Sequence, residues 1–460
     1  MTDKTKFDLT EEERRLKLYT SIVPNARQKI VQEMGFYAFV HFTVNTFTGK
    51  EWGSGKEDIS IFNPTETDCG QWCRAIRAAG MKGVVLTAKH HDGFCLWRTK
   101  TTEHSIKNTP YKGGKGDIVA ELQGACKEYG LRLGLYLSPW DRNAPSYGTE
   151  AYNDFYIAQL TELMTDYGEI FMLWLDGACG AEKDGKPVQK YDFERIYKTA
   201  LSYQPNIVLA NCAPDVRWIG NESGRTRSSE WSVVPVEGSE VLSESQKTDD
   251  LKGLKKKRVD EFVEDLGSRE VLARYGEFKW YPAEADVSIR KGWFHHKSQN
   301  FSVKSVGALM KLYDRTVGNN SLLLLNIPPN KKGLLDKKDV KRLEGLGARI
   351  QKDRSDRIEL TSLRYDGGER TLTVSFKKTK VRALLIRENT DYSQRVEEWS
   401  LYAVTDSGTQ KIFDGTIIGM NRLARFPAVE TDTLILKITR CRNEPYLLGA
   451  AVIGVSDKLK

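Results

Sequence analysis

Histidines and carboxylates follow directly after several apolar runs of this chain. His90 and His91 come after GVVLTAK, His41 after FYAFV, and Asp176 after IFMLWL. Such runs are typical of strands buried on both faces, and in a parallel barrel the functional groups lie where these strands end. The pattern therefore predicts one site that holds histidines together with a carboxylate.

A second carboxylate, Glu222, lies in the glycine-flanked segment RWIGNESG. Two carboxyl groups at one site can act as the nucleophile and the proton donor of a hydrolysis. We expect Asp176 and Glu222 to form this pair. The local sequence leaves two alternatives open, namely Asp176 as a helix N-cap and Glu222 as a solvated loop residue.

Other polar and aromatic residues stand at strand ends or in the loops that follow: Glu51, Trp52, Tyr136, Trp140, Trp218, Glu284 and Trp293. Aromatic rings stack on the apolar faces of sugars, while neutral groups form directed hydrogen bonds to the hydroxyls. No glycine loop for phosphate accompanies them, so the set favours a carbohydrate site. Adjacent His90 and His91 point in opposite directions if both lie on the strand, so one of them could only support the other.

The histidines could also be interpreted as a zinc site. However, the chain has no HExxH motif, and its seven cysteines lack CxxC spacing. A zinc site usually shows one of these patterns. We therefore expect buried free thiols and neither a metal nor another cofactor.

Composition describes a globular protein, with 40% hydrophobic and 29% charged residues in a chain of 460. No apolar segment reaches membrane-spanning length, and the N-terminal residues lack the hydrophobic region of a signal peptide. We expect a cytoplasmic protein, or a periplasmic or secreted one if a leader has been removed.

The net charge of +8 lies partly in KGLKKKR, residues 252–258. We interpret that segment as a solvated helix face and expect no nucleic-acid binding, because no stacking motif accompanies it. The sequence does not indicate the oligomeric state.

The elements that must position these residues alternate between apolar runs and amphipathic segments. After one or two helices within residues 1–34, predicted strands lie at 36–42, 84–88, 131–138, 170–175, 207–210, 229–233, 283–289 and 322–327. Predicted helices separate several of them, at 66–79, 117–129, 152–167 and 192–203. Strands and helices at this spacing predict a (β/α)8-like barrel over residues 1–350.

After residue 350 the pattern changes to short alternating segments separated by Gly, Asp or Asn. This pattern predicts a C-terminal antiparallel β-sandwich over residues 351–460. It contains none of the six histidines, so we expect a structural or carbohydrate-contacting module.

The segments HFTVNTFTGKEWG, AKHHDGF, LWLDG, RWIGNESG and PAEADVSIRKGWFHH occur in this order. Together they resemble the α-L-fucosidases of glycoside hydrolase family 29, and most closely the branch that prefers α-1,3/4-linked fucose. The similarity covers residues 20–350 and extends through NIPPNKKG. It implies a retaining hydrolase on a (β/α)8-like barrel with a C-terminal β-sandwich and no metal, acting on fucosylated oligosaccharides or glycoconjugates.

The resemblance also implies roles for single residues. Asp176 matches the nucleophile and Glu222 the acid/base. His41, His90, His91 and Tyr136 match positions that bind fucose hydroxyls, and Glu51 and Trp52 match the loop beside them. Trp218, Glu284 and Trp293 resemble residues that line the apolar side of the ring or the leaving-group subsite.

Three alternatives stay open. Glu284 is a second carboxylate near the mouth and could be the acid/base instead of Glu222. A glycosidase of relaxed specificity would use the same groups on sugars that match L-fucose but carry a C6 hydroxyl, since an apolar pocket rejects an added hydroxyl only by about a hundredfold. A non-catalytic sugar-binding relative would keep the fold alone.

Overall fold

The computed structural model describes residues 9–180, 188–236 and 265–455. The basic segment 252–258 lies outside the described residues. Two helices open the chain, Glu11–Tyr19 (α1) and Ala26–Met34 (α2). Each begins with a capping box, in which the N-cap side chain and the third helical residue satisfy each other's backbone N–H groups.

Eight parallel strands form the first module, in the order β5-β4-β3-β2-β1-β10-β9-β6. Their bounds are Phe36–Val40 (β1), Gly83–Lys89 (β2), Arg132–Leu137 (β3), Met172–Leu175 (β4), Val208–Asn211 (β5), Arg217–Trp218 (β6), Ala283–Ser288 (β9) and Leu322–Asn326 (β10). A parallel bridge between Ala210 and Val216 brings β5 against the start of β6, so the barrel is nearly closed. The predicted (β/α)8-like barrel is confirmed.

Helices follow these strands along the chain, and the last helix leads from β10 to the C-terminal module. Their bounds are Asn45–Thr48 (α3), Cys69–Ala78 (α4), Ile118–Tyr129 (α5), Ala151–Asp166 (α6), Phe193–Tyr203 (α7), Arg269–Leu272 (α8), Val306–Arg315 (α9) and Lys337–Ser355 (α10). Asp68, Asp117 and Asp192 cap α4, α5 and α7, each through its carboxylate. Gly130 ends α5 in the left-handed conformation, at φ 65°. No helix in the described ranges is long and apolar enough to cross a membrane.

The barrel strands are buried on both faces. Tyr37 and Phe39 of β1 pack with Tyr136 and Trp174 inside the barrel. The alternate residues of β1 pack outward in the large cluster that includes Trp72 of α4. A strand covered on both sides has a continuous apolar run in its sequence, which is why this chain shows such runs.

The prediction of a barrel strand at residues 229–233 is wrong. The segment Val233–Pro235 (β7) pairs in antiparallel fashion with Phe278–Trp280 (β8) in a separate two-stranded sheet. The corresponding barrel strand is β6, which has only two residues and includes a buried charge. Arg217 forms an ion pair of 2.8 Å with buried Glu230. Because β6 lacks an apolar run, hydrophobic periodicity does not detect it.

The second module is antiparallel and follows α10. Its strands are Leu360–Asp366 (β11), Thr371–Glu388 (β12), Val396–Thr405 (β13), Gly408–Gly415 (β14), Arg422–Cys441 (β15) and Leu447–Gly454 (β16). The long strands β12 and β15 pair along most of their length with two breaks in register, and β12 also pairs with β11 and β16. The strands enclose one core that includes Leu384, Trp399 and Leu436. The prediction of a C-terminal antiparallel β-sandwich is confirmed by this antiparallel module.

Candidate active site

Asp176 follows β4 directly, at the carboxyl end of the barrel. Its Oδ2 accepts a hydrogen bond of 3.0 Å from the Tyr136 hydroxyl, and its Oδ1 accepts one of 2.7 Å from the backbone N–H of Ala178. The side chain remains 26% exposed, so it can meet a ligand. In the described part of the chain the next helix begins at Phe193 and is capped by Asp192. Asp176 therefore caps no described helix.

His91 faces the same carboxylate. Its Nε2 lies 3.8 Å from Asp176 Oδ2, too long for a hydrogen bond. The Ser138 hydroxyl donates to the carbonyl of Trp140 at 2.7 Å, so its oxygen accepts from His91 Nδ1–H at 2.8 Å. Burial lowers the pKa of His91, and the charge of Asp176 partly opposes this. The imidazole is thus neutral, with the lone pair on Nε2 facing the mouth.

His41 is fixed in the same manner by Asn326, which ends β10. The Asn326 side-chain amide donates to the Trp293 carbonyl at 2.8 Å and to Ser288 Oγ at 3.0 Å. Its oxygen therefore accepts from His41 Nδ1–H, at 2.8 Å. Burial lowers the pKa of His41 to about 3. His41 is neutral, and its Nε2 can accept a hydrogen bond from a hydroxyl.

His90 stands between the other two histidines. Its ring centroid is 4.2 Å from that of His91 and 5.5 Å from that of His41, and it stacks on Tyr136. Its Nδ1 is buried and has no hydrogen-bond partner among the described residues. Burial lowers the pKa of His90 well below its usual range. A buried nitrogen without a partner at a site of this kind is explained by a ligand that supplies one.

The loops after β1 and β9 meet beside the histidines. Glu51 Oε2 accepts a hydrogen bond of 2.7 Å from the backbone N–H of Trp293, and its Oε1 lies 3.4 Å from His296 Nε2. The Trp293 ring lies 5.0 Å from the His41 ring. Trp52, half exposed, meets the rings of His91 and Trp140 edge-on at 6.1 and 5.8 Å. These contacts bring the predicted residues of both loops to the same mouth.

Glu222 is exposed in the loop after β6. At the end of β6, Trp218 Nε1 donates a hydrogen bond of 2.6 Å to Asp286 Oδ1 on β9. Asp286 is buried, and burial followed by the charge of Glu222 raises its pKa well above the usual range. Glu222 therefore has a second carboxyl group as an electrostatic neighbour.

Glu284 lies deeper in the barrel. Its Oε1 accepts from Trp174 Nε1 at 2.6 Å, and its Oε2 accepts from the Tyr37 hydroxyl. The side chain is buried, and burial raises its pKa to about 7. Both oxygens are thus occupied by residues of the barrel interior, one layer below the mouth.

Within the described ranges, no three His, Cys, Asp or Glu side chains are arranged to hold a metal ion. His41 and His91 instead direct Nδ1 at Asn326 and Ser138. The Nδ1 atoms of His41 and His91 are thus used in hydrogen bonds, and His90 lies between these two rings.

Ser138, Asn326 and Asp286 belong to this site and were not among the sequence candidates. Asp286 lies inside β9, and Asn326 is the last residue of β10, directly after an apolar run. Strand alternation could have found Asp286, because it is two residues after Glu284 and therefore on the same face. Ser138 follows β3 directly and matched the strand-end rule, but its small side chain gave no chemical signal.

A carboxylate, neutral histidines and indoles at the mouth of a (β/α)8-like barrel define a carbohydrate-processing site, that of a glycoside hydrolase. The model of the alpha-L-fucosidase family matches residues 23–354. The chain belongs to this family.

Several alpha-L-fucosidases are similar to this chain along most of its length. Alpha-L-fucosidase 1 of Arabidopsis thaliana is 37% identical over 465 residues, which covers 92% of this chain and 86% of the plant protein. A candidate alpha-L-fucosidase from Bacteroides ovatus has a crystal structure with a TM-score of 0.89 at 42% identity, covering 99% of this chain and 78% of that one. A Ruminococcus gnavus fucosidase of glycoside hydrolase family 29, solved with fucose, has a TM-score of 0.78 at 26% identity, covering 99% and 98%.

Proposed function

We propose that this enzyme releases terminal α-L-fucose from fucosylated oligosaccharides or glycoconjugates, with a preference for α-1,3/4 linkages, by a retaining double displacement. The observation that carries the proposal is the setting of Asp176. Tyr136 holds one of its oxygens at 3.0 Å, and a neutral His91 stands 3.8 Å from the same oxygen. A fixed, partly exposed carboxylate beside hydroxyl-binding groups is suited to attack a sugar at its anomeric carbon.

The reaction divides into two steps. In the first, Asp176 attacks the anomeric carbon, the glycosidic bond breaks, and Glu222 gives its proton to the departing oxygen. A fucosyl ester on Asp176 results. In the second, Glu222 takes a proton from water, the water oxygen attacks the anomeric carbon, and Asp176 leaves as a carboxylate. Retaining chemistry requires the two carboxyl groups to come within about 5 to 5.5 Å of each other.

The histidines suit this reaction because they are neutral. Burial keeps His41, His90 and His91 uncharged near neutral pH. They can then bind hydroxyls without placing a positive charge beside the developing oxocarbenium ion. Trp293 and Phe294 pack against His41 at ring distances of 5.0 and 5.5 Å. The Trp293 ring, which is partly exposed, offers an apolar wall for the C6 methyl group of fucose, and Phe294 supports His41 from a buried position.

The decisive experiment is a panel of nitrophenyl glycosides followed by NMR of the product. We expect cleavage of the α-L-fucoside with release of α-L-fucose as the first product. Comparable cleavage of the α-L-galactoside, which carries a C6 hydroxyl, would favour the enzyme of relaxed specificity. Binding of fucose without any cleavage would favour a sugar-binding relative, and β-L-fucose as first product would exclude a retaining mechanism.

The linkage preference needs natural substrates. Trisaccharides that carry fucose α-1,3- or α-1,4-linked to N-acetylglucosamine should be cleaved with a higher kcat/KM than 2′-fucosyllactose, which carries an α-1,2 linkage. Equal or reversed kcat/KM values would refute the proposed linkage preference without contradicting the fucosidase activity.

A further inference from the structure

The loop that carries Glu222 is anchored to β9 at its start. There, Trp218 Nε1 donates to Asp286 Oδ1 at 2.6 Å, and the backbone N–H of Ile219 donates to the Glu284 carbonyl at 2.8 Å. At its end, Gly224 packs against α9, where an added Cβ would overlap Leu312 Cδ1 and lie 2.9 Å from Val287 Cγ2. The loop of Glu222 therefore begins directly beside Asp286.

Asp286 lies in the same layer of the barrel as Asp176. Trp174 and Glu284 meet in the layer below, through a hydrogen bond of 2.6 Å. Asp176 is two residues after Trp174, and Asp286 is two residues after Glu284. Side chains two positions apart lie on the same face of a strand. Asp286 thus faces the mouth of the barrel, while only 5% of its surface is exposed.

The charged surroundings of Asp286 consist of carboxyl groups. Burial raises its pKa first, the charge of Glu222 raises it further, and Glu284 on the same strand adds to this. The Trp218 hydrogen bond opposes the rise. An indole N–H can only donate, so Oδ1 of Asp286 is the acceptor, and Oδ2 is the oxygen that would carry a proton. Two neighbouring carboxyl groups do not ionise together readily, so the second proton of the pair is held more tightly than the first.

We propose that Asp286 is a positioning residue for Glu222 and that the two carboxyl groups share one proton. Asp286 keeps this proton available at a pH at which an isolated loop carboxyl would already be ionised. This inference rests on the proposed acid/base role of Glu222. Glu222 delivers the shared proton to the glycosidic oxygen, which leaves both carboxyls ionised. Glu222 then recovers a proton from the attacking water, so the pair returns to its starting state with no further reactant.

The Asp286→Asn variant tests this directly. The substitution keeps the packing, because the side chains are nearly equal in volume and an amide oxygen can still accept from Trp218, but the acid proton is lost. We expect the alkaline limb of kcat/KM for a methoxyphenyl fucoside to move down by about one pH unit, since Glu222 must then titrate without its partner. At a pH on that limb, activity should fall about tenfold. The profile for a dinitrophenyl fucoside, which departs without protonation, should keep its alkaline limb.

Asp117→Asn is the matched control, because it makes the same change at a carboxyl whose pKa burial also raises, at the N-cap of α5 outside the site. Its alkaline limb should stay at the wild-type position. An unmoved limb in folded Asp286→Asn would overturn the inference, and so would an equal shift for both fucosides. The Glu222→Ala variant tests the acid/base role separately. If it slows both fucosides equally, Glu222 is not the acid/base. If it slows mainly the methoxyphenyl fucoside while the limb of Asp286→Asn does not move, only the role of Asp286 is refuted.

A reciprocal measurement covers the case in which Asp286→Asn does not fold. Infrared difference spectra in Glu222→Gln should show the buried carboxyl of Asp286 losing its proton at lower pH than in the wild type, because coupling between two sites acts equally on both. An unchanged titration of that carboxyl would equally contradict a shared proton.

Discussion

The Tyr136 hydroxyl donates a 3.0 Å hydrogen bond to the same oxygen of Asp176 that lies 3.8 Å from His91 Nε2. Tyr136 is buried, and burial followed by the charge of Asp176 raises its pKa well above the usual range. The phenol therefore keeps its proton at any pH at which the enzyme works. It orients Oδ2 of the carboxylate while the backbone N–H of Ala178 holds Oδ1, and the side chain stays 26% exposed to an approaching anomeric carbon.

Replacing Tyr136 with Phe should slow formation of the fucosyl ester. The ring would still stack on His90 and Trp174, but one hydrogen bond to a carboxylate would be lost. Such a bond contributes about 1.5 to 3 kcal/mol, which corresponds to roughly 10- to 150-fold in kcat/KM. Steady-state kinetics with an aryl fucoside measure it. Wild-type kcat/KM in this variant would show that the tyrosine does not orient the nucleophile.

Asp176→Ala should abolish turnover while the fold is retained, because the side chain acts in the reaction and bonds only to Tyr136 and its own loop. Added azide should restore turnover and give β-fucosyl azide, since it attacks in place of the missing carboxylate. Asp192→Ala is the control. It removes the N-cap of α7 and should cost about 1 kcal/mol of stability without loss of kcat. Wild-type turnover in Asp176→Ala would refute the nucleophile assignment.

Glu222→Ala should separate substrates by their leaving groups. Oligosaccharides need protonation of the departing oxygen, so their kcat/KM should fall by about 100- to 10,000-fold. A dinitrophenyl fucoside should keep most of its first-step rate and accumulate the fucosyl enzyme, because the second step loses its base. Burst kinetics and mass spectrometry of the trapped ester measure this. If Glu284→Ala gave this pattern instead, the acid/base role would move to Glu284.

The sequence predicted the parts of the site that lie at the ends of long apolar strands. Asp176 after β4 and the histidine pair after β2 follow a rule of barrel geometry that needs no knowledge of contacts. The sequence failed where a strand is short or carries a buried charge, as in β6 with Arg217 and Glu230. That strand forms through pairing with β9 rather than through local preference.

Contacts between distant strands were also beyond sequence reasoning. Asn326 and His41 are 285 positions apart, and only closure of the barrel brings β10 beside β1. Glu284 on β9 is hydrogen-bonded to Tyr37 on β1 and to Trp174 on β4. A buried polar residue can be found in the sequence, but its hydrogen-bond partner depends on the tertiary fold.

Asn326 should control the tautomer of His41. In Asn326→Leu the oxygen that accepts from Nδ1–H is lost, so the proton can move to Nε2 and block the acceptor that faces the mouth. In Asn326→Asp a carboxylate would take its place and favour the imidazolium form, so activity should recover as pH rises. Nitrogen-15 NMR of labelled histidine distinguishes the two states. A His41 spectrum identical to wild type in both variants would show that Asn326 does not set the tautomer.

Glu284 should make the stability of the protein depend on pH. Burial raises its pKa to about 7 in the folded state, from an ordinary value of 4.5. A folded-state pKa above the unfolded value means that this contribution is fully present below about pH 4.5 and is lost as the pH rises to about 7. The loss amounts to about 3 kcal/mol, at 1.36 kcal/mol for each pH unit. Glu284→Gln cannot ionise and should lack this loss.

Denaturant unfolding of the wild type and of Glu284→Gln at pH 5 and pH 8 measures the contribution of Glu284 to the free energy of unfolding. His41 contributes with the opposite sign, because its pKa of about 3 lies below the usual 6.5 and stability is lost as the pH falls through that interval. His41 is present in both proteins, so its contribution cancels in the difference between wild type and Glu284→Gln. We expect the free energy of unfolding to fall more steeply from pH 5 to pH 8 in the wild type than in the variant. Parallel curves would mean that Glu284 is already ionised in the folded protein, held so by Tyr37 and Trp174.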